Sequence, residues 1–253
     1  MSFSAEHTVS PGATAWRQTS SRKVLAIMHQ KHSSAGQVAN WLAAQGLSLD
    51  IRRPRFGDAL PETLENHAGA VIFGGPQSAN DNDDFILREI DWVGVALKED
   101  KPLLGICLGA QMLALHLGAE IRPHAQSVVE RGYHTILPTH SGSEMLDWPE
   151  RVYQWHEQGF SAPRTSVVLA EGETFRNQAF RLGSAFGLQF HPEITRNAII
   201  RLISASSPGS CSATTHLRHH CHYGPTQRQW LDEFMTKWIG LGQAEPEQLL
   251  AAA

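Results

Sequence analysis

The chain has 253 residues, room for one large domain or two small ones, and 42% hydrophobic against 18% charged residues lets it bury a sizeable core. A formal net charge of −4 offers nothing to nucleic acid or an anionic membrane surface, and no apolar run is long enough to span a bilayer. Three widely spaced cysteines make no disulfide framework and the N-terminus lacks the charged-then-apolar layout of a signal peptide, so a reducing, cytoplasmic compartment fits best.

Residues 1–21 are small and polar and read as a loose arm before a single domain over 22–240. KVLAIM (23–28) is a first buried strand, SAGQVANWLAAQG (34–46) a helix closed by glycine, and LSLDIRR a second strand by alternation. GAVIFGG (69–75) is a third strand ending in the pair Gly74–Gly75, and DDFILREIDWVGVALKED (83–100) is an amphipathic helix with acids at its start. PLLGICLGAQ follows, with a strand over Leu103, Leu104 and Ile106 and a helix over 108–118. Strands alternating with helices predict an α/β fold: a mostly parallel, open central sheet flanked by helices, with the active site at the carboxyl ends of its strands. The second half is richer in strands, at 120–122, 127–137, 151–155, 167–170, 179–182 and 185–189, and predicts a smaller antiparallel portion. Helices return at 195–203 and 226–239, and the tail at 241–253 has no strong reason to be ordered. There is no internal repeat.

Cys107 stands at a strand-to-helix junction inside Gly105-Ile106-Cys107-Leu108-Gly109, the G-x-nucleophile-x-G form of a nucleophile elbow. A helix N-terminus favours thiolate over thiol, and the N–H of Leu108 would point at an incoming oxyanion. The plain alternative is a small buried core residue. A nucleophilic cysteine needs a base, and the base an orienter. In GLQFHPE an apolar strand runs out at Phe190, His191 follows, Pro192 stops the ladder, and Glu193 lies at i+2, on the same side as His191 in extended chain. A carboxylate there could take one imidazole nitrogen and leave the other for Cys107, although alone HPE reads equally as a solvated turn. FGGPQSAND could turn the N–H of Gly75 inward as a second oxyanion donor, or be an ordinary Gly-Pro turn.

Together GGP (74–76), GICLGAQ (105–111) and HPE (191–193) resemble the class I, triad glutamine amidotransferases, in that family's order and spacing. The stretch from residue 83 to 120 and the segment VYQWHEQGF are similar to its stand-alone, GMP-synthase-like members. The resemblance implies Cys107 as nucleophile on the side-chain amide of glutamine, His191 as base and acid, Glu193 as its orienter, and the N–H groups of Gly75 and Leu108 as oxyanion hole. It implies substrate contacts at Gly74, at Gln111 one helical turn beyond Cys107, at the backbone of Gly132 and Tyr133, and at His156, with no cofactor and no metal. This chain reads His156-Glu157-Gln158 where such relatives usually read His-Gly-Asp. It also lacks a Gly-rich phosphate loop, so either a separate synthetase subunit receives the ammonia or the protein cleaves a γ-glutamyl conjugate on its own account. A non-catalytic regulatory subunit of the same fold is the third reading.

One motif stays outside this scheme. TTHLRHHCHYGP (214–225) carries His216, His219, His220, Cys221 and His222, close to Cys211. Such a cluster could take zinc or copper, but no second Cys/His pair stands at zinc spacing, so a histidine-rich polar helix or loop is the expectation.

Overall fold

The computed structural model describes residues 23–206 and 212–241. The arm expected over 1–21, the tail beyond 241 and Cys211 lie outside the described residues. The elements in chain order are β1 (Lys23–Ile27), α1 (Gly36–Ala44), β2 (Ser48–Arg52), β3 (Ala70–Ile72), α2 (Asp84–Lys98), β4 (Leu103–Ile106), α3 (Leu108–His116), β5 (Ile121–Pro123), β6 (Glu130–Pro138), α4 (His140–Met145), β7 (Arg151–His156), β8 (Gln158–Phe160), β9 (Val167–Gly172), β10 (Asn177–Leu182), β11 (Ala185–Leu188), α5 (Arg196–Ser204) and α6 (Ala213–Leu241).

Nine strands form one sheet in the order β2-β1-β3-β4-β11-β10-β9-β6-β7. From β2 to β11 every pairing is parallel; from β11 to β7 every pairing is antiparallel. The parallel strands β3, β4 and β11 are buried throughout, which is why they read as unbroken apolar runs. Alternation along β1 sorts the two faces. Val24, Ala26 and Met28 join a core with Trp41 of α1 and Trp230, Phe234 and Trp238 of α6. Leu25 and Ile27 join the opposite core with Ile86 and Val93 of α2 and Met112 and Leu113 of α3. Among the described residues no helix is long and apolar enough to cross a membrane.

Three segments depart from the sequence-based expectation. The short β8 pairs with β5 as a separate two-stranded ribbon, and α4, capped by the Thr139 side chain, covers β9. Neither is long enough to show a period. The largest difference is α6, which starts at Ala213 and runs through Pro225 to Leu241. Gly224-Pro225 signals a break, but packing of the helix along β6 and β7 overrides it.

This topology sets the site. The β4–β11 register pairs Ile106 with Leu188, and the N–H of Cys107 continues the ladder onto the Leu188 carbonyl at 2.8 Å. On the other side of β4, β3 pairs Ile72 with Gly105. The residues just past β3, β4 and β11, namely Gly74–Gly75, Cys107 and His191, therefore leave the sheet at one edge.

Candidate active site

Cys107 has φ 51° and ψ −105°, a positive-φ backbone that is strained for any residue with a Cβ. The turn is tight because β3, β4 and α3 meet through glycine: a Cβ on Gly109 would overlap the Ile72 carbonyl. Gly74 is equally confined, since a Cβ there would sit 2.8 Å from His191 Cε1 and 3.4 Å from Cys107 Cβ. The thiol and the imidazole thus flank one point that only a hydrogen can occupy.

His191 is held by its backbone and its ring. Its N–H donates to the Tyr153 carbonyl at 2.8 Å, and its own carbonyl accepts from Gln227 Nε2 of α6 at 3.0 Å. The ring Nδ1 meets Glu193 Oε1 at 2.8 Å. Nε2 is buried and makes no hydrogen bond among the described residues. The Cys107 sulfur is instead 3.8 Å from Gln189 Nε2 and 3.9 Å from the Trp155 carbonyl. Burial alone would lower the imidazole, but the charges of Glu193 and Cys107 beside it outweigh that and hold His191 well above its ordinary value. The negative groups on either side of the ring thus favour its protonated form.

Cys107 opens into a cavity of about 450 Å³. Gly75 and Leu108 line it, and Leu108 is the first residue of α3, so its N–H is an orphan donor of the helix start. Gln111 lines it too; its Nε2 donates to the Gln158 carbonyl at 2.8 Å and to Gln189 Oε1 at 3.2 Å, which leaves its own oxygen for a ligand. His156 is part of the wall, with Nδ1 3.0 Å from the Gln158 carbonyl and Nε2 2.9 Å from Glu130 Oε2. Burial would raise Glu130, but the hydrogen bond and charge of His156 hold it below its ordinary value. His156 therefore shapes the cavity with both nitrogens engaged. Gly132 and Tyr133 are not among the lining residues; Arg131, one position earlier, is. Tyr133 lies on the same face of β6 as Arg131 but two residues farther along the strand, where its hydroxyl meets His220 of α6.

Several residues at the site are absent from the sequence-based candidates. Gln189 is fully buried between Gln111 and Cys107, and its only sequence signal is an amide inside an apolar strand. Trp155 and Arg131 reach the cavity because β6 and β7 pair Arg131 with Trp155, a register no local pattern reveals. Behind the Gly74–Gly75 turn lies a buried pair, His29 Nε2 to Glu89 Oε2 at 2.7 Å, with His29 Nδ1 3.3 Å from the Gly74 carbonyl. The signal for it is an acid on the apolar stripe of α2, three residues from both Ile86 and Trp92.

The histidine-rich segment is the first half of α6. His216 and His220 share a helix face, and their Nδ1 atoms accept from the hydroxyls of Tyr153 at 3.1 Å and Tyr133 at 2.8 Å. His219 and His222 pack edgewise on Tyr223, and Cys221 is exposed. Among the described residues no three His, Cys, Asp or Glu side chains are grouped to hold a metal ion. Burial lowers both His216 and His220, and the neighbouring His219 and His134 lower His216 further. The fold binds their neutral forms. Their contribution to stability is complete above the unfolded value of about 6.5 and is lost as pH falls below it through the folded values. The melting temperature should therefore drop as pH is lowered below 6.5, and a His216→Asn/His220→Asn protein should show a flatter dependence. Equal slopes for the two proteins would refute this.

The arrangement of a strained cysteine at a strand–helix elbow and a carboxylate-held histidine on the adjacent parallel strand defines a class of cysteine-centred α/β proteins. The family model for glutamine amidotransferase class-I matches residues 12–199, and the chain belongs to that family. It is 30% identical over 194 residues, 71% of this chain and 79% of the other, to the glutamine amidotransferase-like protein YfeJ of Salmonella typhimurium. It is 33% identical over 140 residues to one subunit of the glutamine-hydrolyzing GMP synthase of Ignicoccus hospitalis, covering 53% of this chain and 72% of that one. Among solved structures, a glutamine amidotransferase of Thermotoga maritima superposes with a TM-score of 0.80 at 28% identity, covering 86% of this chain and 97% of the other. One from Methylobacillus flagellatus gives 0.81 at 27% identity, covering 89% and 97%.

Proposed function

We propose that the protein hydrolyses the side-chain amide of glutamine through a γ-glutamyl thioester on Cys107 and releases ammonia to a separate synthetase. The carrying observation is Cys107 at positive φ, flanking Gly74 together with a His191 ring whose far nitrogen is fixed by Glu193. Cys107 sulfur attacks the amide carbon, and its proton goes to His191 Nε2, the buried nitrogen with no other hydrogen bond among the described residues. The carbonyl oxygen takes the negative charge between the N–H groups of Leu108 and Gly75. Collapse breaks the C–N bond, and His191 returns the proton to the departing ammonia. Water, deprotonated by the same ring, then cleaves the thioester to glutamate and free thiol. Glu193 keeps Nδ1–H engaged and stabilises the imidazolium formed in each half. The relative that is part of a GMP synthase supports an acceptor enzyme on another chain.

A glutamine-like diazo ketone or chloroketone tests the reading. It should alkylate Cys107 and block ammonia release, and it should spare Cys221, which lacks an elbow and a positioned base. Modification of Cys221 or Cys211 with Cys107 untouched would sink the assignment.

A further inference from the structure

We propose that Arg131 and Glu157 together read the charged head of the substrate, the guanidinium taking the α-carboxylate and the carboxylate taking the α-ammonium. The inference deepens the amide-hydrolase reading and rests on it. The class of substrate it selects is a γ-glutamyl amide with both α-groups free, and it excludes glutamine blocked at either group, as it is within a peptide chain.

Charge complementarity carries the argument. The cavity that contains Cys107 is lined mainly by neutral groups such as Gln77, Ser78, Gln111 and Gln158. His156 is there as well, but both its nitrogens are committed. Arg131 and Glu157 supply one positive and one negative group side by side, with Arg131 Nη2 2.7 Å from Glu157 Oε1. A free amino-acid head carries one charge of each sign on a single carbon, so it matches an adjacent cation–anion pair and no single charge.

The pair is also placed and loose enough to serve. Arg131 lies across from Trp155 in the β6–β7 register, and its guanidinium sits over the Trp155 ring, 5.5 Å from the centroid. The ring face attracts the guanidinium and holds it near the mouth, and a guanidinium fork suits bidentate contact with a carboxylate. The backbone carbonyl of the same Trp155 faces the Cys107 sulfur at 3.9 Å, so one residue joins the head-reading cation to the nucleophile. Side-chain exposure is 28% for Arg131 and 65% for Glu157. An ion pair this wet is weak, and a zwitterion entering between the two groups replaces one ion pair by two. The side chain of Gln158 is occupied elsewhere, its Oε1 accepting from Ser78 Oγ at 2.7 Å, which leaves Glu157 as the anion at the mouth.

The test compares three amides: glutamine, 4-aminobutanamide, which lacks the carboxylate, and glutaramic acid, which lacks the ammonium. Arg131→Gln should weaken glutamine by about tenfold or more, mostly in KM, and leave 4-aminobutanamide unaffected. Glu157→Gln should do the same to glutamine and leave glutaramic acid unaffected. Arg131→Lys should recover part of the loss. Calorimetric binding of glutamine to a Cys107→Ala protein gives the same comparison without turnover. Equal losses on all three amides, or unchanged glutamine binding in Arg131→Gln, would overturn the proposal while leaving the thioester chemistry standing. A parent protein that neither cleaves any of the amides nor is alkylated at Cys107 would overturn both.

Discussion

Replacing Cys107 by alanine is expected to abolish ammonia release, by roughly 10⁴-fold or more, since removal of a covalent nucleophile leaves only binding and the oxyanion donors. The fold should survive. Alanine keeps the Cβ that already tolerates φ 51°, and what it loses is a sulfur whose contacts are weak ones, at 3.8 Å to Gln189 and 3.9 Å to Trp155. Glu193→Ala should be milder by one to two orders of magnitude, roughly, because it removes the group that orients His191 and not the group that bonds to substrate. The charge of Glu193 is also the leading cause that raises His191, so the Glu193→Ala protein should show a lower His191 titration by NMR than the parent. Initial rates of ammonia release, with melting curves as the control for folding, decide the matter. Residual turnover near the parent level in Cys107→Ala would mean that the thiol is not the nucleophile.

How far this site is legible in the sequence depends on what each residue needs to reveal itself. The junction at Cys107 is visible because glycines on both sides are demanded locally, by the close approach of α3 to β3. The proximity of His191 and Glu193 is visible because two-residue spacing in extended chain is a backbone property. The parallel half of the sheet is visible because strands covered on both faces must be apolar throughout. Arg131 and Glu157 are invisible locally: nothing in either segment states that β6 and β7 pair in the register that puts Arg131 opposite Trp155. The first half of α6 is hidden by Gly224-Pro225, whose local preference loses to the docking of His216 and His220 on two tyrosines from β6 and β7. Gln227 lies within the helix expected at 226–239, but nothing local states that its amide ties Tyr153 to His191.

Glu89→Ala is expected to destabilise the protein by about 3–5 kcal/mol, the range for breaking a buried ion pair by removing one partner. Both side chains are fully excluded from water, and they meet at 2.7 Å between the end of β1 and the buried stripe of α2. With Glu89 gone, His29 Nε2 has neither a carboxylate nor solvent, and among the described residues the ring keeps only the Gly74 carbonyl at 3.3 Å as a polar contact. The second carboxylate oxygen, Glu89 Oε1, is buried without a hydrogen bond among the described residues, which sets the expectation toward the lower end of that range. The damage should reach the site, because His29 underlies the Gly74–Gly75 turn: a Cβ on Gly75 would come within 2.8 Å of His29 Cβ. If the imidazole shifts, the proposed oxyanion donor of Gly75 shifts with it, so ammonia release should fall even at temperatures where the variant remains folded. Glu89→Gln should cost less, since the amide oxygen still accepts from Nε2–H. A His29→Leu/Glu89→Leu double replacement should be milder than Glu89→Ala alone, because it leaves no polar group unpaired. Denaturant midpoints for the three variants check this order, and a Glu89→Ala protein within about 1 kcal/mol of the parent would show that the pair carries neither the fold nor the turn.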